Sequence, residues 1–371
     1  MGGQATEGRY GPRMERFGFV GLPNAGKSSL YNALAGGGAL AAPYAFATTD
    51  PNVGVAKVFD DRLDRLAEMS HSKNVVPAAV QFTDIGGLVE GASKGEGLGN
   101  RFLGGIREVD AIVYVLRAFA DADVPGETDP LEHLRIVELE LTLADLETVE
   151  GQIERKRKAS KLDRSLVDEV KALDAAYAAL SEGTPLYRSD VKVADREVLR
   201  PYWLLTNKPV LAVVNVDEEQ LERLDEVVGP VAAELGDMAP VFGACIQLEA
   251  EAAMLDPGER TEMLEALGLG EGALPRFVRA AYHALGLRTF FTTGEKESRA
   301  WTFRAGSRAP QCAGVIHTDF ERGFIRAEVI HWDELLELGG WAQARDVGKL
   351  RVEGKDYVVE DGDVMEFRFN V

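Results

Sequence analysis

The chain has 371 residues, more than one ordinary hydrophobic core holds, so two or three domains are expected. Its 61 acidic and 41 basic residues give a formal charge of −20, a mean field that repels phosphate and argues against indiscriminate nucleic-acid binding; no specific DNA partner is expected, and any RNA contact needs local basic patches. Two cysteines without a Cys-x-x-Cys pair, and no apolar run near the roughly 18 residues of a membrane span, point to a reduced, cytoplasmic protein with no membrane partner.

Residues 1–13 are polar and glycine-rich, carry no apolar signal core and precede a second methionine, Met14, so they are expected to be a disordered extension. Phe17 to Val20 then reads as a strand, and Leu30, Ala33 and Leu34 mark a helix. Between them, Gly21-Leu22-Pro23-Asn24-Ala25-Gly26-Lys27-Ser28 fits the phosphate-binding pattern G-x-x-x-x-G-K-[ST]. Glycines there let the backbone close around a β-phosphate, and the helix N-terminus presents N–H groups to the anion. Asn24, Ala25, Gly26, Lys27, Ser28 and Ser29 are therefore the expected nucleotide-binding set. Lys27 would neutralise β- and γ-phosphate oxygens, and Ser28 is the expected Mg²⁺ ligand. In Phe46-Ala47-Thr48-Thr49-Asp50-Pro51-Asn52, either threonine hydroxyl could complete the Mg²⁺ shell. The apolar strand from Val80 ends in Asp84-Ile85-Gly86-Gly87, a D-x-x-G in which Asp84 would hold Mg²⁺ through water. Gly87 can offer its N–H to a γ-phosphate, which makes the following segment a switch.

The segments that carry a family resemblance are Gly18 to Ser28, Phe46 to Asn52 and the glycine-rich run Asp84 to Asn100, with two more downstream, around Asn215 to Glu218 and across Ile316 to Arg326, Glu353 to Tyr357 and the end. From about Met14 to Val371 the chain resembles the YchF branch of the Obg-related translation-factor GTPases, also called Obg-like ATPases. The resemblance implies an α/β fold: a P-loop NTPase of the Ras-like G-domain type, an inserted antiparallel helical coiled-coil hairpin and a C-terminal β-grasp (TGS) domain. It implies ATP as the preferred nucleotide with GTP weaker, association with the ribosome through its large-subunit RNA or protein, and stress or redox regulation. It favours Thr48 over Thr49 as metal ligand. Related P-loop enzymes lacking the usual glutamine hold a monovalent cation with an asparagine at the position of Asn24, which implies K⁺ as a second ion.

After the D-x-x-G stands Leu88, which can neither donate nor accept a hydrogen bond, where a Gln often orients the attacking water. The resemblance places the chain among hydrophobically substituted P-loop hydrolases, so Lys27, Gly87 and Leu88 form the expected catalytic set of a slow enzyme. The connector Phe119 to Gly126, after the strand Ala111 to Leu116, lacks the histidine that the family often carries, and His133 beside Leu134 reads as an ordinary helix residue. Leu139, Leu143, Leu146, Val149 and Ile153 recur at helical spacing, as do Leu166, Val170, Leu173, Tyr177 and Leu180. Two such helices, joined at Ser160 to Arg164, are expected to form an antiparallel hairpin. The expected domains are 14–126 with 200–286 for nucleotide binding, 127–199 for the hairpin and 287–371 for the C-terminal module.

Base selection is expected at the C-terminal end of the strand Val210 to Val214, where a doubly wound sheet binds its ligand. Asn207-Lys208-Pro209-Val210 imitates the guanine-reading N-K-x-D but ends in Val and precedes that strand; Asn215-Val216-Asp217-Glu218 follows it. An Asp at the last position accepts from guanine N1–H and the 2-amino group, donors that adenine lacks. The N-x-x-E resembles the family signature associated with ATP, placing Asn215, Val216 and Glu218 around the base with backbone near Val216 on the adenine edge. In the C-terminal module, strand patterns at Ala313 to Ile316, Lys349 to Val352, Val358 and Val364 to Phe369, with a helix near Trp332 to Leu338, suit a β-grasp.

Two basic stretches are candidate RNA contacts. One is Arg155-Lys156-Arg157-Lys158 with Lys161 at the hairpin tip. The other is Arg299, Arg304, Arg308, Arg322 and Arg326 interleaved with Trp301, Phe303, Phe320 and Phe324, which reads equally as core aromatics with a solvated face. Cys245, in a base-side loop, and Cys312 are either inert thiols or oxidation sensors. Two functional rivals stay open: a GTP-selective enzyme of the same fold, and a nucleotide-gated RNA- or ribosome-binding scaffold without turnover.

Overall fold

The computed structural model describes residues 14–36, 53–85, 98–121, 123 and 126–370. Twelve strands are named among them: β1 (Arg16–Val20), β2 (Val53–Lys57), β3 (Val75–Val76), β4 (Ala79–Asp84), β5 (Ala111–Arg117), β6 (Val210–Asn215), β7 (Val241–Ala244), β8 (Leu287–Thr292), β9 (Ser298–Arg304), β10 (Phe324–His331), β11 (Arg351–Glu353) and β12 (Asp363–Phe369).

β5 is buried at every residue, as a central parallel strand covered on both faces must be. It lies in a six-stranded sheet of order β2-β4-β1-β5-β6-β7. Only β2 runs antiparallel to its neighbour. The alternation of side chains along each strand feeds two cores. Phe17, Phe19, Phe82, Val113 and Val213 pack with the helices Lys27–Gly36, Ile246–Ala253 and Ala273–Ala284. On the other face Val20, Ile112, Tyr114 and Leu116 pack with Leu98–Glu108, the first half of Pro130–Ser160, and Leu224–Leu235. With both faces covered, the C-terminal strand ends are the place left for a ligand.

The long helix Pro130–Ser160 begins where Asp129 accepts from the Leu131 N–H at 2.9 Å and Pro130 occupies the first turn. Its expected seam holds only in the second half. Leu139 and Leu143 are 52% and 40% exposed, because the first half turns Leu134, Val137, Leu141 and Ala144 towards the sheet. Further along, Val149 and Ile153 pack against Ala172, Leu173, Ala176 and Leu180 of the return helix Val167–Ser181. Alanines rather than Tyr177 fill that contact, leaving the tyrosine 39% exposed. At the hairpin base the buried Asp145 accepts from the Leu205 and Thr206 N–H groups and the Thr206 hydroxyl at 2.7–2.8 Å. Burial still lifts its carboxyl to about 6.

The C-terminal sheet has the order β11-β10-β12-β8-β9-β3. β8 and β9 form an antiparallel hairpin, β12 runs parallel to β8, and β10 is antiparallel to β12. The expected strand at 313–316 is instead the end of a helix, Ala309–Ile316, opened by Pro310 and by the Arg308 N–H donating to Gln311. Its small residues Ala309, Cys312 and Ala313 are buried against the sheet. The pattern at 349–352 becomes β11, and Val358 makes only an isolated bridge with Arg308. β3, from the first third of the chain, pairs in parallel with β9. Arg62, on the helix Asp61–Met69, pairs with Asp361 at 2.7 Å, and Asp361 in turn accepts from the Thr289 N–H. The C-terminal module is thus joined to the first sheet by a shared core, and β3, which precedes β4 in the chain, forms an edge of the C-terminal sheet. No helix among the described residues is long and apolar enough to cross a membrane.

Candidate nucleotide site

β1 delivers residues 21–26 to the C-terminal edge of the sheet, where the helix Lys27–Gly36 begins. Gly26 has φ 97°, and a Cβ there would strike the Asn215 carboxamide; Asn24, at φ 63°, is a residue type that tolerates the left-handed region. Lys27 is only 7% exposed and its Nζ donates to the Gly21 and Leu22 carbonyls at 3.1 and 2.8 Å. Burial lowers its pKa, and Asp84 opposes that shift. The Ser28 hydroxyl donates to Asp84 Oδ2 at 2.6 Å, while Asp84 Oδ1 is buried with no hydrogen-bond partner among the described residues. An orphaned carboxylate oxygen beside a hydroxyl is a donor set suited to a hard cation, so Ser28 and Asp84 fit Mg²⁺. Ser29 is exposed in the first helical turn, whose N–H groups have no intrahelical partners. Thr48, Gly87 and Leu88 lie outside the described residues.

At the other end of the crevice, the polar groups of β6 brace the protein. Asn215 is buried; its Nδ2 donates to the Ala25 carbonyl at 3.1 Å and its Oδ1 accepts from the Ile246 N–H at 3.3 Å. One side chain thereby ties the phosphate loop to the loop after β7, and both ends of its amide are committed. Val216 is also buried and its N–H goes to the Ala244 carbonyl at 3.0 Å. The Asp217 N–H goes to Gln220 Oε1, which is repaid by the Gln220 N–H donating to Asp217. The N–H groups of Val216 and Asp217 are thus both engaged within the protein, which does not support the expectation that backbone near Val216 faces a base. Glu218 is exposed just before the short helix Glu219–Arg223. Asn207 and Lys208 lie at the opposite sheet edge: Asn207 holds Arg196, and Lys208 Nζ donates to the Arg107 and Val109 carbonyls.

His133 is not an ordinary helix residue. It is 1% exposed, wedged between the phosphate loop and β5. The Leu22 N–H donates to its Nε2 at 2.7 Å, and the Arg117 N–H points at its Nδ1 at 3.1 Å. A neutral imidazole can accept through only one ring nitrogen, and a protonated one through neither. Burial first, then the Lys27 and Arg117 charges, push its pKa down to about 4, so at neutral pH it is the uncharged acceptor that this position requires. Arg117 is itself 1% exposed, its guanidinium over the Phe119 ring and donating to the Phe119 carbonyl. The only sequence signal for this pair is two charged-type residues at positions where the pattern demands core.

The arginine-rich stretch of the C-terminal module resolves largely as core. Phe303 and Phe324 are buried, and Trp301 and Phe320 pack on the same cluster. Arg299 pairs with Glu297, Arg304 with Glu15 and Arg308 with Asp356. Both cysteines are buried and free; burial raises the Cys245 thiol and pushes Cys312 up to about 12. Neither has the accessible thiolate of an oxidation sensor.

Comparison with known proteins gives a consistent picture. Residues 16–143 match a family model, MMR_HSR1, described as 50S ribosome-binding GTPase, and residues 287–370 match YchF-GTPase_C, described as a protein of unknown function (DUF933). The protein named ribosome-binding ATPase YchF in Bacillus subtilis is 48% identical over 367 residues, covering 95% of this chain and 99% of that protein. Its namesake in Haemophilus influenzae is 45% identical over 361 residues, with the same shares. The solved Schizosaccharomyces pombe YchF GTPase aligns with a TM-score of 0.85 at 35% identity, covering 97% of this chain and 99% of that one.

Proposed function

The chain belongs to the YchF family, and from that premise we propose that it is an Mg²⁺-dependent ATPase that binds ribosomes and whose nucleotide state switches that association. The observation that carries the enzymatic part is the convergence of Lys27, Ser28 and Asp84 at one end of the crevice. Lys27 Nζ exchanges two loop carbonyls for β- and γ-phosphate oxygens, an exchange of neutral acceptors for anionic ones that favours the ligand. N–H groups from Asn24 to Ser29 hold the remaining phosphate oxygens. Ser28 and Asp84, with Thr48, would hold Mg²⁺, which when bound neutralises charge across the β- and γ-phosphates. Asn24 is the proposed K⁺ ligand. Gly87 reads the γ-phosphate, and Leu88 offers the attacking water no hydrogen bond, which keeps the unstimulated rate low.

ATP is the preferred nucleotide in this reading because Glu218 stands where a guanine reader has Asp. The rival is a GTP-selective enzyme, and the fission-yeast relative is described as a GTPase. The proposed setting is the cytoplasm and the proposed docking target is the large ribosomal subunit. Single-turnover hydrolysis with and without ribosomes, alongside cosedimentation with ADP or a non-hydrolysable ATP analogue, tests the whole reading. Hydrolysis in the wild type and its loss in Lys27→Ala is the expected result; no detectable turnover under either condition would leave a nucleotide-gated scaffold.

A further inference from the structure

Six cations and only two carboxylates, Asp163 and Asp168, fall between residues 155 and 168 of a chain whose net charge is −20. The hairpin sorts the six into two groups. Lys156 Nζ lies 2.8 Å from Glu169 and Arg157 Nη2 lies 2.7 Å from Asp174, so these two pin the outgoing helix to the return helix. Arg155, Lys158, Lys161 and Arg164 are exposed and make no ion pair among the described residues. Arg155, Lys158 and Lys161 are three apart and share one helix edge. Leu162, at the apex beside them, is 95% exposed. Asp163 is engaged in the turn, accepting from the Ser165 N–H and hydroxyl at 2.9 and 2.7 Å.

Neighbouring like charges on a helix repel one another. Two inter-helix pairs already fasten the hairpin, so the outer row adds repulsion without an internal contact in return. An anionic partner with closely spaced charges reverses that cost. We infer that the hairpin tip is a ribosomal-RNA contact: Arg155, Lys158, Lys161 and Arg164 neutralise phosphates, and Leu162 lies against the face of an unstacked base. RNA is favoured over an acidic protein because the surface is a row of point charges in which only Leu162 and, beyond Arg164, Val167 are exposed large apolar side chains among the described residues, too small an apolar area to pack a folded partner. The inference rests on the ribosome-binding reading above and names its surface.

The test compares the full-length wild type with three variants, R155Q/K158Q/K161Q/R164Q, K156Q/R157Q and L162S, in a salt series against ribosomes and against deproteinised ribosomal RNA. Helical content by circular dichroism checks the fold of each. The outer quadruple variant is expected to flatten the slope of log affinity against log salt by about 0.7 per lost contact on both targets. L162S is expected to weaken binding at every salt concentration without changing the slope, and K156Q/R157Q to loosen the hairpin while keeping the slope. Wild-type binding with an unaltered slope in the outer variant would overturn the tip and leave ribosome binding standing. A change on ribosomes but none on deproteinised RNA would overturn RNA as the partner in favour of a ribosomal protein. If the wild type fails to bind ribosomes, the ribosome reading itself falls, and the slope on naked RNA still judges the tip.

Discussion

Lys27 and Ser28 at the phosphate end hold contacts that a ligand can replace, whereas Asn215 at the base end holds contacts whose loss would release two loops at once. In the proposed reading the first kind of residue serves the nucleotide directly, and the second serves it only through the fold. Substitutions at the two ends should therefore separate affinity from stability, although both ends lie in one crevice.

The largest effect is expected from Lys27→Ala. Each hydrogen bond to a charged group is worth about 1.5–3 kcal/mol, so loss of contacts to two phosphates lowers ATP affinity by roughly a hundredfold or more. Stability should change less than in Asn215→Ala, because the loss of two loop carbonyl contacts is offset by removal of a buried charge that desolvation already disfavours. Nucleotide titration and denaturant unfolding of one preparation check both halves. Asn215→Ala is expected to do the reverse. It strands the Ala25 carbonyl and the Ile246 N–H, each at a cost of about 1–3 kcal/mol, and the unfolding midpoint should fall before any direct ligand contact is lost. Full stability with weakened ATP would show that Asn215 acts on the nucleotide instead.

His133 tests whether bracing extends beneath the phosphate end. Its folded pKa of about 4 lies below the 6.5 of an unfolded histidine, so the unfolded chain binds the extra proton first. Its contribution is full above pH 6.5 and is lost as pH falls to about 4, on the order of 3 kcal/mol over that window. Stability curves of wild type and His133→Gln should converge as the pH drops; parallel curves would remove the buried neutral imidazole. The smallest effect is expected at Asn24, where hydrolysis should be roughly severalfold faster in potassium than in sodium, and Asn24→Ala should abolish the difference. Equal wild-type rates would leave Asn24 as a loop-shaping residue.

The fold of the loop after β1 was legible in the sequence because its determinants are local: eight consecutive residues set it, and Asp84, which meets Ser28, closes an apolar strand. β5 and β6 were legible for a related reason, since a strand buried on both faces is a continuous apolar run. What escaped depends on distant contacts. His133 meets Leu22 across 111 positions, and nothing in a helical pattern marks which helix face the phosphate loop will occupy. Ala309–Ile316 looks apolar enough for a strand, but its small residues fit a helix lying on a sheet. The arginines at 299, 304 and 308 resembled an RNA-binding face until Glu297, Glu15 and Asp356 came into reach. The hairpin cations looked equivalent in sequence, and only the return helix separates the pinning pair from the free row.

Base choice is the point on which the ATPase account turns, and competitive displacement of labelled ATP from the wild-type protein by unlabelled ATP and GTP measures it directly. With Glu218 in place of the Asp that pairs with guanine, the account expects ATP to bind about tenfold to a hundredfold more tightly, the worth of one hydrogen-bond pair to a charged acceptor. Glu218→Asp in the same assay should move the ratio towards GTP. Tighter binding of GTP by the wild-type chain would contradict the account and make this a GTPase.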